Sequence, residues 1–320
     1  MRFGFRAILK DFSWSLSKFP RKITHSFAVI AGVLASRLWI AERKYLFETI
    51  DRVYFRKGLS LPSPVSTVID KLFIHFSLNL HEIMRMPEIS DLELERKFVW
   101  RGLENLDSAL ALNRGVILIV PHIGNWELLG AAIAHRGYPL HSFYMAQKDE
   151  ELGSSLDEFR TFSKIVLHDR DRGLREAFKA LKSGEILGMI SDQDGGNHGV
   201  YTDFLGHWVS IPAGPANWSL KTGASIVPLY SLRKGISDRF EARFFPSLPM
   251  EPIDSHDRQV VSRTLKIVKW LESVILRHPE QYLWFYDRFK PRHEAYITRL
   301  KTRGFKMREN EACYEILDGA

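Results

Sequence analysis

The stretch GVILIVPHIGNWE, residues 115–127, joins an uncharged aliphatic run to a histidine, a glycine and a carboxylate. The run GVILIV predicts a buried β-strand, and NWELLG predicts a helix that begins near Asn125. His122 therefore lies at the carboxyl end of a predicted strand. Because ligands of open α/β sheets bind beyond such ends, this is the first place where we expect a functional site.

On both sides of this stretch the sequence predicts further regular structure. Strands are predicted at 140–145, 185–190, 224–230 and 240–245. Helices are predicted at 125–137, 149–162, 171–184, 213–223 and 257–277, and before the first strand at 65–86 and 91–112. Alternating strands and helices indicate an α/β fold with a central, mostly parallel or mixed sheet flanked by helices. We expect an N-terminal helical membrane-anchoring region at 1–60, the α/β domain at 61–295 and a basic C-terminal tail at 296–320.

The N-terminal region carries most of the positive charge. Residues 1–60 contain twelve Lys or Arg against four Asp or Glu, and the whole chain has a net charge of +7. Basic residues interleaved with Phe and Trp are typical of binding to an anionic membrane surface. Nucleic acid is the other partner that a basic segment suggests, but the chain has no zinc-finger, homeodomain or RNA-recognition signature. We therefore expect a membrane surface and no nucleic acid.

Residues 23–41, ITHSFAVIAGVLASRLWIA, are the best candidate for membrane insertion. The clean apolar run extends only from Phe27 to Ala35, and Arg37 interrupts its continuation. A membrane span needs about 20 mostly apolar residues. We expect a helix that lies in the membrane interface, with a single span and a secretory leader as the alternatives.

The residues around His122 have the composition of a general-base site. A neutral imidazole takes a proton from a hydroxyl, and a nearby carboxylate, here Glu127, orients it and stabilises the imidazolium. Gly124 allows a ligand close to the backbone, and its amide and those at the start of the helix are expected to be open to an oxyanion. The alternative is structural: a Glu in a first helical turn often serves the helix dipole, and a lone His often only forms a hydrogen bond.

Four blocks, in order, resemble one family, the late acyltransferases (lauroyl and myristoyl transferases) of lipid A biosynthesis, within the lysophospholipid acyltransferase superfamily. The blocks are GLENLDSALALNRGVILIVPHIGNWELLG, LREAFKALKSGEILGMISDQDGG, TDFLGHWVSIPAGPANWSLKTGASIVPLY and HPEQYLWFYDRFK, and they lie within residues 98–291. The resemblance implies a membrane-associated O-acyltransferase. Its donor would be an acyl-carrier-protein or CoA thioester, and its acceptor a free hydroxyl of a membrane glycolipid or phospholipid.

Carried onto this sequence, the resemblance makes His122 and Glu127 the catalytic H-x4-E pair. No cofactor, metal or covalent acyl-enzyme is implied, and the single cysteine, Cys313, lies outside the matched blocks. The expected location is the cytoplasmic face of the inner membrane, as a peripheral or single-span protein. A lipid A precursor is the first candidate acceptor. However, the family's Arg-Pro and Asn after the second strand are replaced here by YMAQKDEE, residues 144–151, which points to a different headgroup.

The remaining predicted substrate-binding residues lie after strands or helices. Asp192, Gln193 and Asp194 come after the strand EILGMI, where they either share the face of His122 or cap the turn before Gly195. Their spacing to His198 fits no standard metal site. The full predicted set is Gly124, Asn125, Arg160, Asp192, Gln193, Asp194 and Arg233. The resemblance assigns Arg160 and Arg233 to phosphate groups; taken alone, both would be surface charges.

Other functions fit parts of this pattern. Within the same class, the acceptor is a phosphoinositide mannoside, a lysophospholipid or an aminolipid. In another class, a lipid esterase or thioesterase uses water in place of the hydroxyl and releases free fatty acid. A metal-dependent hydrolase would be sensitive to chelators. A non-catalytic lipid-binding protein would bind lipid equally well after substitution of His122, and neither form would show turnover.

Overall fold

The computed structural model describes residues 18–144, 162–170, 172–249 and 255–289, and the backbone of two strands at 306–310 and 313–317. The helices are α1 (Arg21–Leu38), α2 (Ile40–Arg56), α3 (Val65–Met84), α4 (Asp91–Lys97), α5 (Leu103–Leu110), α6 (Trp126–His135), α7 (Leu174–Lys182), α8 (Gly214–Thr222) and α9 (His256–Ile275). The strands are β1 (Phe98–Arg101), β2 (Val116–Val120), β3 (Leu140–Tyr144), β4 (Val166–Asp169), β5 (Ile186–Ile190), β6 (Val200–Phe204), β7 (His207–Ile211), β8 (Ser225–Arg233), β9 (Phe240–Phe244), β10 (Lys306–Asn310) and β11 (Cys313–Leu317).

Seven strands form the central sheet, in the order β1-β9-β8-β2-β5-β3-β4. Every neighbouring pair is parallel except β8 and β9. Strands of a parallel sheet are covered on both faces and therefore read as continuous apolar runs. The run VILIV of β2 lies between β5 and β8 and is buried over its first four residues. The predicted α/β class with a mostly parallel central sheet is confirmed.

The core lies on both faces of this sheet, and β2 contributes to each. Ile117 and Ile119 pack with residues of α2, α3, α7 and α9, whereas Val116 and Leu118 pack against α6. Successive strand residues point to opposite faces, which explains this alternation. The sheet therefore fixes β2 from both sides, and the loop after β2 begins from a rigid position.

The N-terminal helices pack directly on this domain. Helix α1 contacts α3 through small residues four positions apart, which are Thr24, Ala28, Gly32 and Ser36. A Cβ on Gly32 would come within 2.6 Å of Ile74 Cα, so this close approach needs glycine. The outer side of α1 exposes large apolar side chains, which include Phe27, Ile30, Leu34 and Leu38. Helix α2 is anchored in the core, where the Tyr54 hydroxyl donates to the Leu276 carbonyl at 2.5 Å.

No single helix in the described part of the chain is long and apolar enough to cross a membrane. Helices α1 and α2 meet that criterion only when taken together, and they are bent by 84° at the break between them. The membrane anchor and the domain boundaries at 60 and 295 thus stay predictions.

Most predicted elements appear in the structure, and the largest error lies between 91 and 112. The continuous helix predicted there is interrupted by β1, which pairs with β9 and stacks Phe98 on Phe240. Local sequence does not show this long-range pairing. The strands β4, β6, β7, β10 and β11 were also not predicted, and the last four form a small antiparallel sheet. The helix predicted at 149–162 falls almost wholly outside the described residues.

Candidate active site

The candidate site lies where the neighbouring parallel strands β2 and β5 end. The strand register pairs Val120 with Ile190, so residues 122 and 192 each lie two positions further on and meet. The Nδ1 atom of His122 is 2.7 Å from Asp192 Oδ1, and the His122 backbone amide donates to Asp192 Oδ2 at 2.9 Å. One carboxylate therefore holds both the ring and the backbone of the histidine.

This contact fixes the chemistry of the imidazole. A carboxylate only accepts hydrogen bonds, so Nδ1 of His122 carries the proton and Nε2 presents its lone pair. The amide nitrogen of Gln193 lies 3.3 Å from Nε2. Trp126 packs against the ring in a T-shaped arrangement, with centroids 4.8 Å apart. The histidine side chain is 13% exposed, so it is not fully closed off from solvent.

Asp192 is buried, with 1% of its side chain exposed. Burial by itself raises the pKa of a carboxyl group, but the charge of His122 and the hydrogen bonds from its ring and backbone outweigh that effect. The net result holds the pKa of Asp192 below its ordinary value. Asp192 is thus charged at neutral pH, and it can stabilise an imidazolium next to it.

The loop between β2 and α6 has a conformation that its glycine permits. Gly124 has a φ of +61°, and a Cβ there would collide with the Ser231 carbonyl oxygen. Asn125 caps α6, since its Oδ1 accepts from the Leu128 amide at 3.0 Å. The expectation that Gly124 leaves its amide open to an oxyanion is wrong, because that amide donates to the Gln281 carbonyl at 3.0 Å.

Two residues of α3 support this loop and were not identified from the sequence. Asn79 donates to the Gly124 carbonyl at 2.6 Å, and Glu82 accepts from the Asn125 side chain at 2.8 Å. The sequence did contain a sign of them, because both lie on the same face of α3 as the core residues Val68 and Leu72. Polar side chains at core positions of an amphipathic helix require buried partners.

The structure places Arg233, which was predicted to bind phosphate, in a buried ion pair. Its side chain is completely buried and forms a two-pronged ion pair with Glu82, with distances of 2.5 and 2.6 Å. Asn79 accepts a further bond from the same guanidinium at 2.8 Å. All of these partners are internal, so Arg233 braces the fold rather than facing a ligand. Arg160 lies outside the described residues, and its role stays a prediction.

The other predicted residues divide between the site and the turn after β5. Gln193 faces His122, whereas Asp194 caps the turn by accepting from the Gly196 amide at 3.0 Å. Glu127 lies on the first turn of α6 and is partly buried. Its predicted catalytic role is not tested by these contacts. In the described ranges, no group of three or more His, Cys, Asp or Glu side chains is arranged to hold a metal ion.

An apolar groove runs beside His122, between α6 and the sheet. Its volume is about 100 Å³, and it is partly open to solvent. The apolar lining residues are Leu118, Val120, Trp126, Leu129, Ile133, Leu140, Phe143, Ile165, Leu167 and Ile190. Trp126 also packs against the histidine ring, so one residue of the groove lining contacts the candidate base. Glu127 and Ser142 supply polar atoms to the same lining.

The comparison with family models decides the family. The model described as bacterial lipid A biosynthesis acyltransferase matches residues 10–291. The chain belongs to this family. The resemblance of the four sequence blocks is thereby confirmed.

Individual relatives are more distant and differ in their acceptors. A phosphatidylinositol mannoside acyltransferase of Mycobacterium tuberculosis H37Rv is 27% identical over 207 residues, which cover 63% of each chain. A lipid A biosynthesis palmitoleoyltransferase of Escherichia coli K12 is 30% identical over 204 residues, which cover 63% of this chain and 64% of the relative. A lipid A biosynthesis acyltransferase of Haemophilus influenzae is 23% identical over 229 residues, which cover 71% of this chain and 70% of the relative. The chain thus aligns with less than two thirds of the length of the first two relatives.

Proposed function

We propose that the protein is a membrane-associated O-acyltransferase. It moves a fatty acyl chain from an acyl-carrier-protein or CoA thioester to a free hydroxyl of a membrane glycolipid or phospholipid. The observation that carries the proposal is the His122–Asp192 pair beside an apolar groove, in a chain of the lipid A acyltransferase family.

In the proposed reaction His122 is the general base. Its Nε2 takes the proton from the acceptor hydroxyl while that oxygen attacks the thioester carbonyl carbon. The C–S bond then breaks, and the departing thiolate receives the proton back from the imidazolium. Base catalysis of this kind contributes about 10²- to 10⁴-fold to the rate. Asp192 holds the Nδ1 proton in place and stabilises the imidazolium between the two steps.

Glu127 has a different role in this proposal from the orienting role that the sequence suggests. Because Asp192 already holds Nδ1 of His122, we assign the orienting role to Asp192. Glu127 lines the groove beside Trp126, where the reacting thioester and hydroxyl would meet. It therefore remains the second acid of the H-x4-E pair, with a proposed contact to substrate. The amide of Gln193, close to Nε2, is a donor suited to the developing oxyanion.

The groove is the proposed site for the acyl chain. Its lining is mostly apolar, and a chain of methylene groups gains about 0.8 kcal/mol for each one that it buries. Trp126 lines the groove and packs against His122, so we propose that a chain bound there presents its carbonyl to the base.

The outer side of α1 is the proposed membrane-facing surface. Its apolar side chains are exposed, which is costly in water and favourable at a lipid interface. Lys22 and Arg37 belong to the same helix and can contact anionic headgroups. We assign the protein to the cytoplasmic face of the membrane, because thioester donors are available there.

The first candidate acceptor is a lipid A precursor, in line with the family. The mycobacterial relative, whose name specifies a phosphatidylinositol mannoside, supports a mannosylated phosphoinositide as the second candidate. The unusual YMAQKDEE segment also favours an acceptor other than the usual precursor.

The deciding experiment is mass spectrometry of the lipids from cells that lack the protein, complemented with wild type or with His122→Ala. We expect one lipid to lose a single acyl chain and only wild type to restore it. Purified protein with an acyl thioester should then give acylated lipid and little free fatty acid. Free fatty acid as the main product would favour the esterase, and restoration by His122→Ala would remove His122 as the base.

A further inference from the structure

Two residues of the loop after His122 have nearly all of their polar atoms paired. The Gly124 amide donates to the Gln281 carbonyl at 3.0 Å, and the Gly124 carbonyl accepts from the Asn79 side chain at 2.6 Å. The carbonyl and both polar side-chain atoms of Asn125 also have partners within the protein. Among the polar atoms of these two residues, the Asn125 amide alone has no hydrogen-bond acceptor in the described part of the chain.

This unpaired amide lies in the interior, close to the candidate base. Asn125 is 1% exposed, and a buried backbone N–H without a partner is rare in native proteins. In a capping box the side chain at the third helical position would accept from it, but that position holds Leu128. Asn125 comes three residues after His122, and the neighbouring Trp126 packs against the imidazole. The amide is therefore a donor that lacks an internal acceptor beside the site.

Asn79 determines the direction of this amide through the plane of the peptide. The peptide between Gly124 and Asn125 is trans, so its N–H points opposite to its C=O. Because Asn79 of α3 holds the C=O, the N–H points away from α3. Asn79 is itself fixed, since it is buried and its Oδ1 accepts from Arg233 Nη2 at 2.8 Å.

We infer that Asn79 is a positioning residue, which turns the Asn125 amide toward the reacting thioester carbonyl. There the amide is a second donor, beside Gln193, to the oxyanion that forms when the acceptor hydroxyl attacks. The inference rests on the proposed function and adds a residue of α3 to it. A donor that finds its acceptor only as the oxyanion develops stabilises the transition state more than the bound substrate.

The first test is Asn79→Asp, which replaces the donor by an acceptor and keeps the bond from Arg233. A carboxylate repels the Gly124 carbonyl and attracts the Asn125 N–H, so the peptide should turn over and withdraw the amide from the reacting carbonyl. We expect kcat to fall by about 10²- to 10³-fold, the effect of losing one oxyanion donor, while KM for the thioester stays near the wild-type value. Initial rates of acyl transfer by the full chain, with the thioester and lipid found for the wild type, measure both.

The matched control is Asn105→Asp. Asn105 of α5 donates from Nδ2 to the Phe244 carbonyl of β9 at 3.2 Å, so the same exchange of donor for acceptor takes place away from the His122 loop. It should leave kcat unchanged. Urea denaturation of both variants shows that the rates refer to folded protein. Should Asn79→Asp fail to fold, Asn79→Ala removes the donor without adding charge, and kcat should fall by roughly three- to tenfold.

Two inhibitors separate positioning from general damage to the site. Methyl dodecylphosphonate carries an anionic tetrahedral group like the oxyanion, whereas dodecanol offers only the chain and a hydroxyl. In the uncharged Asn79→Ala we expect the phosphonate to bind roughly three- to tenfold more weakly and dodecanol to bind as in the wild type. Equal weakening of both would overturn the positioning role. A phosphonate that inhibits the wild type no better than dodecanol would also contradict it, because no oxyanion donor would then serve the site.

The variants keep this inference distinct from the proposed function. A wild-type kcat in Asn79→Asp, alongside an inactive His122→Ala, would overturn the positioning role and leave the proposed function standing. An active His122→Ala would instead overturn the proposed function. An equal loss of kcat in Asn105→Asp would also sink the inference, because the effect would then not be local.

Discussion

Two buried carboxylates, Glu82 and Asp192, hold the same loop in different ways. Glu82 is paired with Arg233, a permanent cation, and with the side chain of Asn125. Asp192 is paired with His122, which gains a positive charge only when it takes up a proton. The charge of Glu82 is compensated by a permanent cation, whereas in the proposed reaction that of Asp192 would act during proton transfer. On that proposal, the type of partner separates a structural acid from a catalytic one.

The largest expected effect is that of removing the charge of Asp192. Asp192→Asn keeps the size of the side chain, but its amide can also donate to Nδ1, which would place the imidazole proton on Nε2. We expect the rate of acyl transfer to fall by about 10⁴-fold, as it does when the acid of a Ser-His-Asp triad is neutralised. Initial rates with purified protein, thioester donor and acceptor lipid measure this effect.

The companion variant is Glu127→Gln, which tests the acid that the sequence favours. Both variants should unfold in urea near the wild-type midpoint, so that the rates report on chemistry. If Asp192→Asn keeps more than about a tenth of the wild-type rate while Glu127→Gln is inactive, Glu127 is the orienting acid and our assignment must be reversed.

The next largest effect concerns the structural acid. Glu82→Leu leaves Arg233 buried without its counter-charge, and breaking a buried pair in this way costs about 3–5 kcal/mol in the free energy of unfolding. Urea denaturation measured by circular dichroism reports the loss. Glu82→Leu combined with Arg233→Met removes both charges, and it should recover at least about half of the lost stability.

This pair of variants can break the comparison. If the double variant is no more stable than Glu82→Leu alone, charge compensation is not what the pair provides, and the bonds to Asn79 and Asn125 matter more. If Asp192→Asn lowers the free energy of unfolding as much as Glu82→Leu does, the two carboxylates do not divide into structural and catalytic groups.

The sequence predicted the part of the site that depends on local pattern. The strands that became β2 and β5 are apolar runs, and their exits identified His122 and Asp192 as candidates. Which of the candidates meet depends on strand order. Only the β2–β5 register, Val120 opposite Ile190, brings Asp192 rather than another strand-exit residue to the histidine.

Residues distant in sequence explain the features that were not predicted. Arg233 leaves β8 at a position that suits a ligand, but Glu82 of α3 reaches it from 151 positions away. Arg288 was part of a block noted only for its resemblance, because its bond to the Asp192 carbonyl arises from tertiary packing. A polar residue within a core stripe, such as Asn79 in α3, is the local sign that such contacts exist.

The smallest expected effect separates the groove from the charge pair on the same strand. Gly188 lies in β5, four residues before Asp192, and lines the groove. An added Cβ would lie 3.5 Å from the His141 carbonyl oxygen and from Leu140 Cδ1, so Gly188→Ala fits without strain. The methyl shortens the space for an acyl chain, and each methylene that no longer fits loses about 0.8 kcal/mol, or about fourfold in kcat/KM. With donors of increasing length, we expect the optimum to move down by about one or two carbons and the pH profile to stay the same.

The control is Gly214→Ala, whose methyl meets nothing within 4 Å, and which should change neither the optimal chain length nor the pH profile. An unchanged optimal chain length in Gly188→Ala would place the acyl chain outside this groove. A shifted pH profile would show that the groove and the His122–Asp192 pair are not independent.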